Sequence, residues 1–460
     1  MEESVNLTKK TFNLKNYALF WTIALLLAVP IAYAFTRENV LYNFYLILIS
    51  PSKLVTDYFC LGGLAASFLN AGLCGLFCNV MIAIFKPQAK SNLLAGYFLV
   101  IAHCFYGLNL LNMILPFLGI IIYCLIRKRK IAEHLHIAMF STSLAPFISD
   151  FLFRYTLPSG TFVFGTVQLT VGGIVLAVAF SFVSAFVIPA VIEGTEKMYK
   201  GYNLFKAGLA IGFLGTFARA LFYDTFGFDV PDVVFRDNAL YVEMQHLYMN
   251  FVVSFFIIVF ALTLIFGYLG NGKSFKGYKS LWRCDGHSDD FNEIYGPYLT
   301  YINIGVYGVS MLAFLVIVYL VAEGVGFTGP TTGILIASIT FTACGQTVRN
   351  VWPIALGYII VVTISTLVCV VCKMPIVWNI SSQLYINGFA FATGLCPFSG
   401  RYGWKAGVLA GVICAVLCSI TATMHGGFVL YNGGLTAGLT AMILLPILEF
   451  YKVKIKEEKK

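Results

Sequence analysis

Two charged residues, Asp150 and Arg349, interrupt long apolar stretches of this 460-residue chain. A charge inside a membrane-like segment is costly unless it is paired, wetted or used, so each marks a candidate site. Arg349 could hold an anion or pair with Asp150, and its long stem could equally carry it to an interface. Asp150 could cap a helix end or meet Arg154. His103 stands in a third apolar stretch, where an imidazole can touch a solute, carry a proton, or pack with its nitrogens bonded.

Uncharged polar residues add a patterned set. Asn70-Ala-Gly72-Leu-Cys-Gly75-Leu matches Asn303-Ile-Gly305-Val-Tyr-Gly308-Val, and Gly107, Asn112 and Gly119 share the spacing of Gly345, Asn350 and Gly357. Thr142-Ser-Leu-Ala-Pro146-Phe147 matches Thr393-Gly-Leu-Cys-Pro397-Phe398, and Gly208-Leu209-x-x-Gly212 matches Gly434-Leu435-x-x-Gly438. Amides and hydroxyls both donate and accept hydrogen bonds, which suits a polar solute that sheds its water. The candidate solute-binding residues are Asn70, His103, Asn109, Asn112, Thr142 and Asp150 in one half of the chain. Asn303, Gln346, Thr347, Arg349, Asn350 and Thr393 complete the set in the other. The same residue types also glue membrane helices together, so each carries a packing reading beside the functional one.

Signatures of other chemistry are weak. Gly267-Tyr-Leu-Gly-Asn-Gly272-Lys273-Ser274 has the letters of a phosphate loop, but it closes an apolar span instead of following a strand. Glu133-His134-Leu-His136, next to Arg127–Lys130, reads as a solvated membrane edge, and Cys369-x-x-Cys372 as packing within a span. No catalytic residue, cofactor or metal is expected. The net charge of +9 lies in short loops, so it speaks for membrane orientation and against a nucleic-acid partner.

The elements that must position these residues follow from composition. The chain is 59% hydrophobic and 11% charged, far from the roughly one-quarter charged of soluble domains. Apolar stretches of spanning length recur from Tyr17 to Tyr451, and backbone in lipid must bond locally, so the fold expected is all-α. The segment from Leu93 to Ile126 has basic residues at both ends, which one crossing cannot place on the same side. It reads as a re-entrant hairpin broken near His103–Gly107, and residues 330–372 read as its counterpart. Each half then has about five crossings and one broken hairpin, and an odd number of crossings inverts the second copy. The first repeat is expected over 1–222, an acidic extracytoplasmic linker over 223–245, the second repeat over 246–451 and a basic tail over 452–460. Both termini are expected in the cytoplasm of a cell with the protein in its inner or plasma membrane. Arg37, Lys53, Arg236 and Lys373 fall on the outer side and fit that bias less well.

The ordered motifs resemble a family of uncharacterised bacterial polytopic membrane proteins defined by a domain of unknown function in tandem. They are more distantly similar to urea transporters, which have two inverted halves of five spans and a re-entrant element. Asn70–Leu76 and Asn303–Val309 resemble one motif of that family, and Thr142–Phe147 and Thr393–Phe398 another. The similarity covers short motifs only, and Leu430–Leu435 repeats the first motif out of order. It implies a channel or carrier for a small polar solute, with membrane lipid as surroundings and a homo-oligomer as one assembly. A membrane enzyme acting on a lipid-linked substrate, or the solute-binding subunit of a larger transporter, are the alternatives.

Overall fold

The computed structural model describes residues 13–153, 169–233, 243–287, 290–321, 327–376, 379–380 and 382–455, which are helical without strands. Arg154, Arg236, Asp237 and the end of the basic tail lie outside them. The first half comprises α1 (Leu14–Thr36), α2 (Val40–Ile49), α3 (Tyr58–Phe85), α4 (Ser91–His103), α5 (Leu110–Ile126), α6 (Ile131–Ser141), α7 (Ala145–Phe153), α8 (Val171–Tyr199) and α9 (Lys206–Arg219). The second comprises α10 (Gln245–Gly270), α11 (Tyr278–Arg283), α12 (Phe291–Tyr295), α13 (Pro297–Val321), α14 (Gly329–Ser338), α15 (Val348–Val371), α16 (Gln383–Ala392), α17 (Cys396–Tyr402), α18 (Trp404–Met424) and α19 (Asn432–Phe450). Among the described residues, nine helices are long and apolar enough to cross a membrane, taking α6 and α7 as one. The short helices α2, α11 and α12 were not expected. Nor was the length of α15, which at 24 residues exceeds a hairpin leg.

Helix ends explain the charges that fit the loop bias poorly. Arg37, the C-cap of α1, and Lys373, one residue past the C-cap of α15, take left-handed φ values of 53° and 54°. A cation there sits against the negative end of the helix dipole, which is favourable on either side of a membrane. Lys53 instead donates from Nζ to Pro231 O at 2.9 Å.

The halves repeat one another contact by contact. Gly72 packs on Leu26 and Gly75 on Thr22, as Gly305 packs on Leu264 and Gly308 on Phe260. The α1–α3 pair and the α10–α13 pair are therefore equivalent. Yet α1 and α10 run antiparallel: Tyr17, near the start of α1, bonds Thr263, near the end of α10, at 2.9 Å. The far end of α1, at Phe35, shares a groove with Leu247 at the start of α10. Equivalent helices that oppose each other make the second half an inverted copy of the first.

Reciprocal bonds tie the copies together. Asp57 accepts the Gly329 N–H at the start of α14 at 3.0 Å. Asp290 accepts the Ser91 N–H at the start of α4 at 3.1 Å and the Ser91 hydroxyl at 2.6 Å. Each half thus caps the other half's hairpin with a carboxylate, the favoured charge at a helix N-terminus. On the pseudo-twofold axis α9 meets α19, where a Cβ on Gly208 would lie 2.5 Å from the Gly434 backbone. Only glycine permits that approach.

The two hairpins break at Cys104–Asn109 and Ile339–Thr347, and the two breaks do not meet. The short legs α4 and α14 pack side by side in opposite directions: Gly329, opening α14, lies on Phe105 O at the first break, and Asn92, on α4, reaches Cys344 at the second. Each tip therefore lies beside the other hairpin's entrance. A 13-residue α4 separates the tips by about 20 Å. The first tip rests on the segment ending at Tyr58, whose N–H donates to Phe105 O at 3.2 Å; the second rests on Phe291, whose N–H donates to Ala343 O at 2.9 Å.

Candidate functional site

The paired amides are used within the tips. Asn70 Nδ2 donates to Cys104 O and Leu108 O, and Asn303 Nδ2 to Thr342 O and Gln346 O, all at 2.8 Å. Asn109 and Asn112 form a capping box at the start of α5, and Thr347 and Asn350 form its copy at the start of α15. Asn112 Nδ2 also reaches Gly107 O at 3.1 Å, as Asn350 Nδ2 reaches Gly345 O at 2.9 Å. Gly107 and Gly345 stand at φ 96° and 125°, which glycine alone adopts without strain. Breaking a helix strands carbonyls and N–H groups, and in a dry interior side chains must take them up. Gln346 Nε2 bonds Ser338 O at 2.6 Å, and the Thr142 and Thr393 hydroxyls bond Met139 O and Ala390 O at 2.7 Å.

The charged candidates lie apart. The Asp150 carboxylate accepts the Tyr223 hydroxyl, near the first tip. Arg349 is exposed beside the second tip, donating to Arg283 O at 2.9 Å, and does not meet Asp150. The twelve predicted residues therefore divide between two tips instead of converging on one site.

What does converge is a set of positions where the halves differ. The segments leading to Phe205 and Tyr431 enter from opposite faces, one from Lys200, which pairs with Glu449, the other from Gly427, which packs on Lys53. They are equivalent: Leu204 N–H donates to Gly394 O at 2.9 Å, and Leu430 N–H to Ser143 O at 3.0 Å. Phe205 and Tyr431 then meet with ring centroids 5.1 Å apart, where α9 and α19 begin. Phe205 packs on Phe341 at 5.3 Å; the equivalent contact is Tyr431 on His103 at 5.1 Å. The mirrored positions pair His103 with Phe341, Tyr106 with Cys344, Ser143 with Gly394 and Tyr431 with Phe205. One side of the axis is polar at all four, the other apolar or small.

That polar cluster is dry. His103, Tyr106, Ser143 and Tyr431 are each at most 1% exposed. The hydroxyls of Tyr106, Ser143 and Tyr431 have no hydrogen-bond partner among the described residues. A buried unpaired hydroxyl costs about 1–3 kcal/mol, so three together call for an explanation. His103 sits between the two tyrosines, 5.1 Å from each, with Nδ1 2.5 Å from Leu99 O and Nε2 3.1 Å from Leu430 O. A neutral imidazole has one N–H and satisfies only one of those carbonyls. Sequence reading singled out His103 but passed over Tyr106, Ser143 and Tyr431. The available signal was the difference between repeats at matching positions.

The other motifs lie in helices and at their ends. Gly267–Gly270 is the end of α10, with no strand before it. His134 Nδ1 lies on Lys130 O at 3.1 Å, and no group of three His, Cys, Asp or Glu suited to a metal occurs among the described residues. Cys369 and Cys372 are both free thiols. Glu38, between α1 and α2, accepts the N–H groups of Ala65 and Ala66 where α3 turns at Gly63. Burial pushes its carboxyl up to about 7, against the pull of those bonds.

In comparisons with known proteins, the profile of a family described as protein of unknown function (DUF1576) matches the chain twice, at residues 36–224 and 270–450. No curated protein and no solved structure matches.

Proposed function

The chain belongs to the protein family of unknown function DUF1576, and we propose that this member carries a small uncharged polar solute across the cell membrane, at the cluster of His103, Tyr106, Ser143 and Tyr431. The observation that carries the reading is the three hydroxyls, unpartnered among the described residues, closed in at the junction of two inverted repeats. Inverted-repeat carriers bind at that junction, where interrupted helices free polar groups. A solute with donors and acceptors would satisfy the hydroxyls and the spare nitrogen of His103, replacing the water it sheds. The aromatic walls, Phe140, Phe205 and Phe391, would bury its apolar surface. The cluster is closed to both faces here, as the occluded stage of alternating access requires. Rocking of one repeat against the other about the Gly208–Gly434 contact would open it to each face in turn. The basic loops near Lys86, Arg127 and Lys200 would face the cytoplasm, together with both termini.

The test is uptake of a panel of small neutral and anionic solutes into proteoliposomes. Saturable, selective uptake that is lost in His103→Phe and Tyr431→Phe supports the proposal. These changes give each site the residue its mirror position already accommodates. Uptake that is absent for every solute, with and without an ion gradient, refutes it.

A further inference from the structure

The second tip carries a pocket of its own. It has a volume of about 200 Å³ and is lined by Arg283, Arg349, Asn350, Ser399, Trp352 and Trp404. Its origin can be read from the repeat. At the first tip Asn112 Nδ2 is saturated by Ser52 Oγ at 2.8 Å and Ser149 Oγ at 2.9 Å, besides Gly107 O. At the second tip Gly286 replaces Ser52, each with its carbonyl against the tip glycine, and Gly400 replaces Ser149 in the repeated Pro-Phe motif. Both serine side chains are gone. Asn350, 3% exposed, keeps one Nδ2 bond, to Gly345 O, and its second amide hydrogen has no partner among the described residues. The hydroxyl of Ser399, 6% exposed, makes no hydrogen bond among them either.

What faces this pocket is a set of donors. The Arg283 and Arg349 guanidinia, the free Asn350 amide hydrogen and the Ser399 hydroxyl all seek acceptors, and α15 and α18 begin beside it with their positive dipole ends. Asp285, next to the lining residue Cys284, is engaged by Arg401 at 3.2 Å. Trp352 and Trp404 stack at 6.4 Å at the rim, 47% and 49% exposed, as aromatic residues do at a membrane–water boundary. We infer that this pocket binds the phosphate group of an anionic phospholipid, seated on Arg283, Arg349, Asn350 and Ser399 with its chains against the two tryptophans. Basic pockets at helix ends on one membrane face take such headgroups. The chemistry recognised is a phosphate oxyanion, and a soluble phosphate would present the same group without the chains. The site is independent of the solute cluster and stands or falls without it.

The experiment is native mass spectrometry of the purified chain released from nanodiscs of phosphatidylglycerol mixed with phosphatidylcholine, with a parallel arm in neutral lipid titrated with inorganic phosphate. The lipid site predicts retained phosphatidylglycerol in the wild type and at least ten-fold weaker retention in Arg283→Gln/Arg349→Gln. Lys276→Gln/Lys279→Gln, which removes the same charge from exposed positions nearby, should retain it fully. Stabilisation by inorganic phosphate that needs both arginines, with no lipid retained, would keep the oxyanion site and overturn the lipid as its source. Equal retention in both double variants, or none in the wild type in either arm, would overturn the proposal.

Discussion

Replacing Tyr431 by Phe removes one oxygen from a residue that is 1% exposed and whose hydroxyl has no partner among the described residues. No hydrogen bond is lost, and the ring keeps its places against Phe205 at 5.1 Å and His103 at 5.1 Å. Leaving a buried hydroxyl unpaired costs about 1–3 kcal/mol, so Tyr431→Phe should leave the protein as stable as the wild type or more stable by up to that amount. Tyr97 is the matched control: equally buried, on α4, with its hydroxyl 2.7 Å from Thr22 Oγ1. Tyr97→Phe removes a real bond, and interhelical bonds in membrane proteins average about 0.6 kcal/mol with a maximum near 1.7. The assay is reversible unfolding of both variants in the same bicelles, with the wild type alongside. Tyr431→Phe should unfold no earlier than the wild type, and Tyr97→Phe earlier. If Tyr431→Phe is destabilised as much as Tyr97→Phe, the Tyr431 hydroxyl has a partner within the fold, and the argument for a solute cluster loses its basis.

The reciprocal carboxylates should not be equivalent. Asp57 accepts the Phe59 and Gly329 N–H groups through Oδ1, so Asp57→Asn with its amide oxygen in that place keeps both of these bonds and gives up the charge beside α14, worth about 0.3–1 kcal/mol. Asp290 uses both oxygens, and Asp290→Asn sets an amide donor against the Ser91 N–H or hydroxyl, costing about 1–3 kcal/mol. Thermal midpoints that fall equally in the two variants would contradict this. Glu38 should make stability depend on pH. Its folded value of about 7 stands above the ordinary 4.5, so its contribution is complete below the ordinary value and fades as pH rises through 7. The fade is at most about 3 kcal/mol, and Glu38→Gln should flatten this part of the unfolding profile between pH 5 and pH 8.

Much of the architecture was legible because a membrane leaves few choices. Apolar length dictates helices, and the Asn-x-Gly and Thr-Ser-Leu-Ala-Pro repeats announce two copies. Basic ends on Leu93–Ile126 force a hairpin. The role of the amides was not legible, because Asn112 reads the same whether it holds a solute or ties Gly107 O and Ser52. Nor was the separation of the tips, which depends on α4 and α14 packing side by side. Asp57 and Asp290 went unremarked because each lies in a short loop and serves the opposite half. The site itself was half visible: His103 stood out as a histidine in an apolar stretch, whereas Tyr106, Ser143 and Tyr431 stand out only against Cys344, Gly394 and Phe205. In a repeat protein the matching residues hold the frame, and the mismatches point to what the frame is for.

The most direct test of the account is the accessibility of residue 143 from the two sides of the membrane. Ser143→Cys would be placed in a chain whose exposed Cys372 and half-buried Cys284 are serine, and labelled with a membrane-impermeant thiol reagent applied to one face or the other. The account predicts labelling from either face, at rates that rise and fall in opposition when conditions bias the protein toward one side, and protection by the transported solute. Labelling from neither face under any condition, or from both without opposition, would contradict a closed cluster that opens to each side in turn.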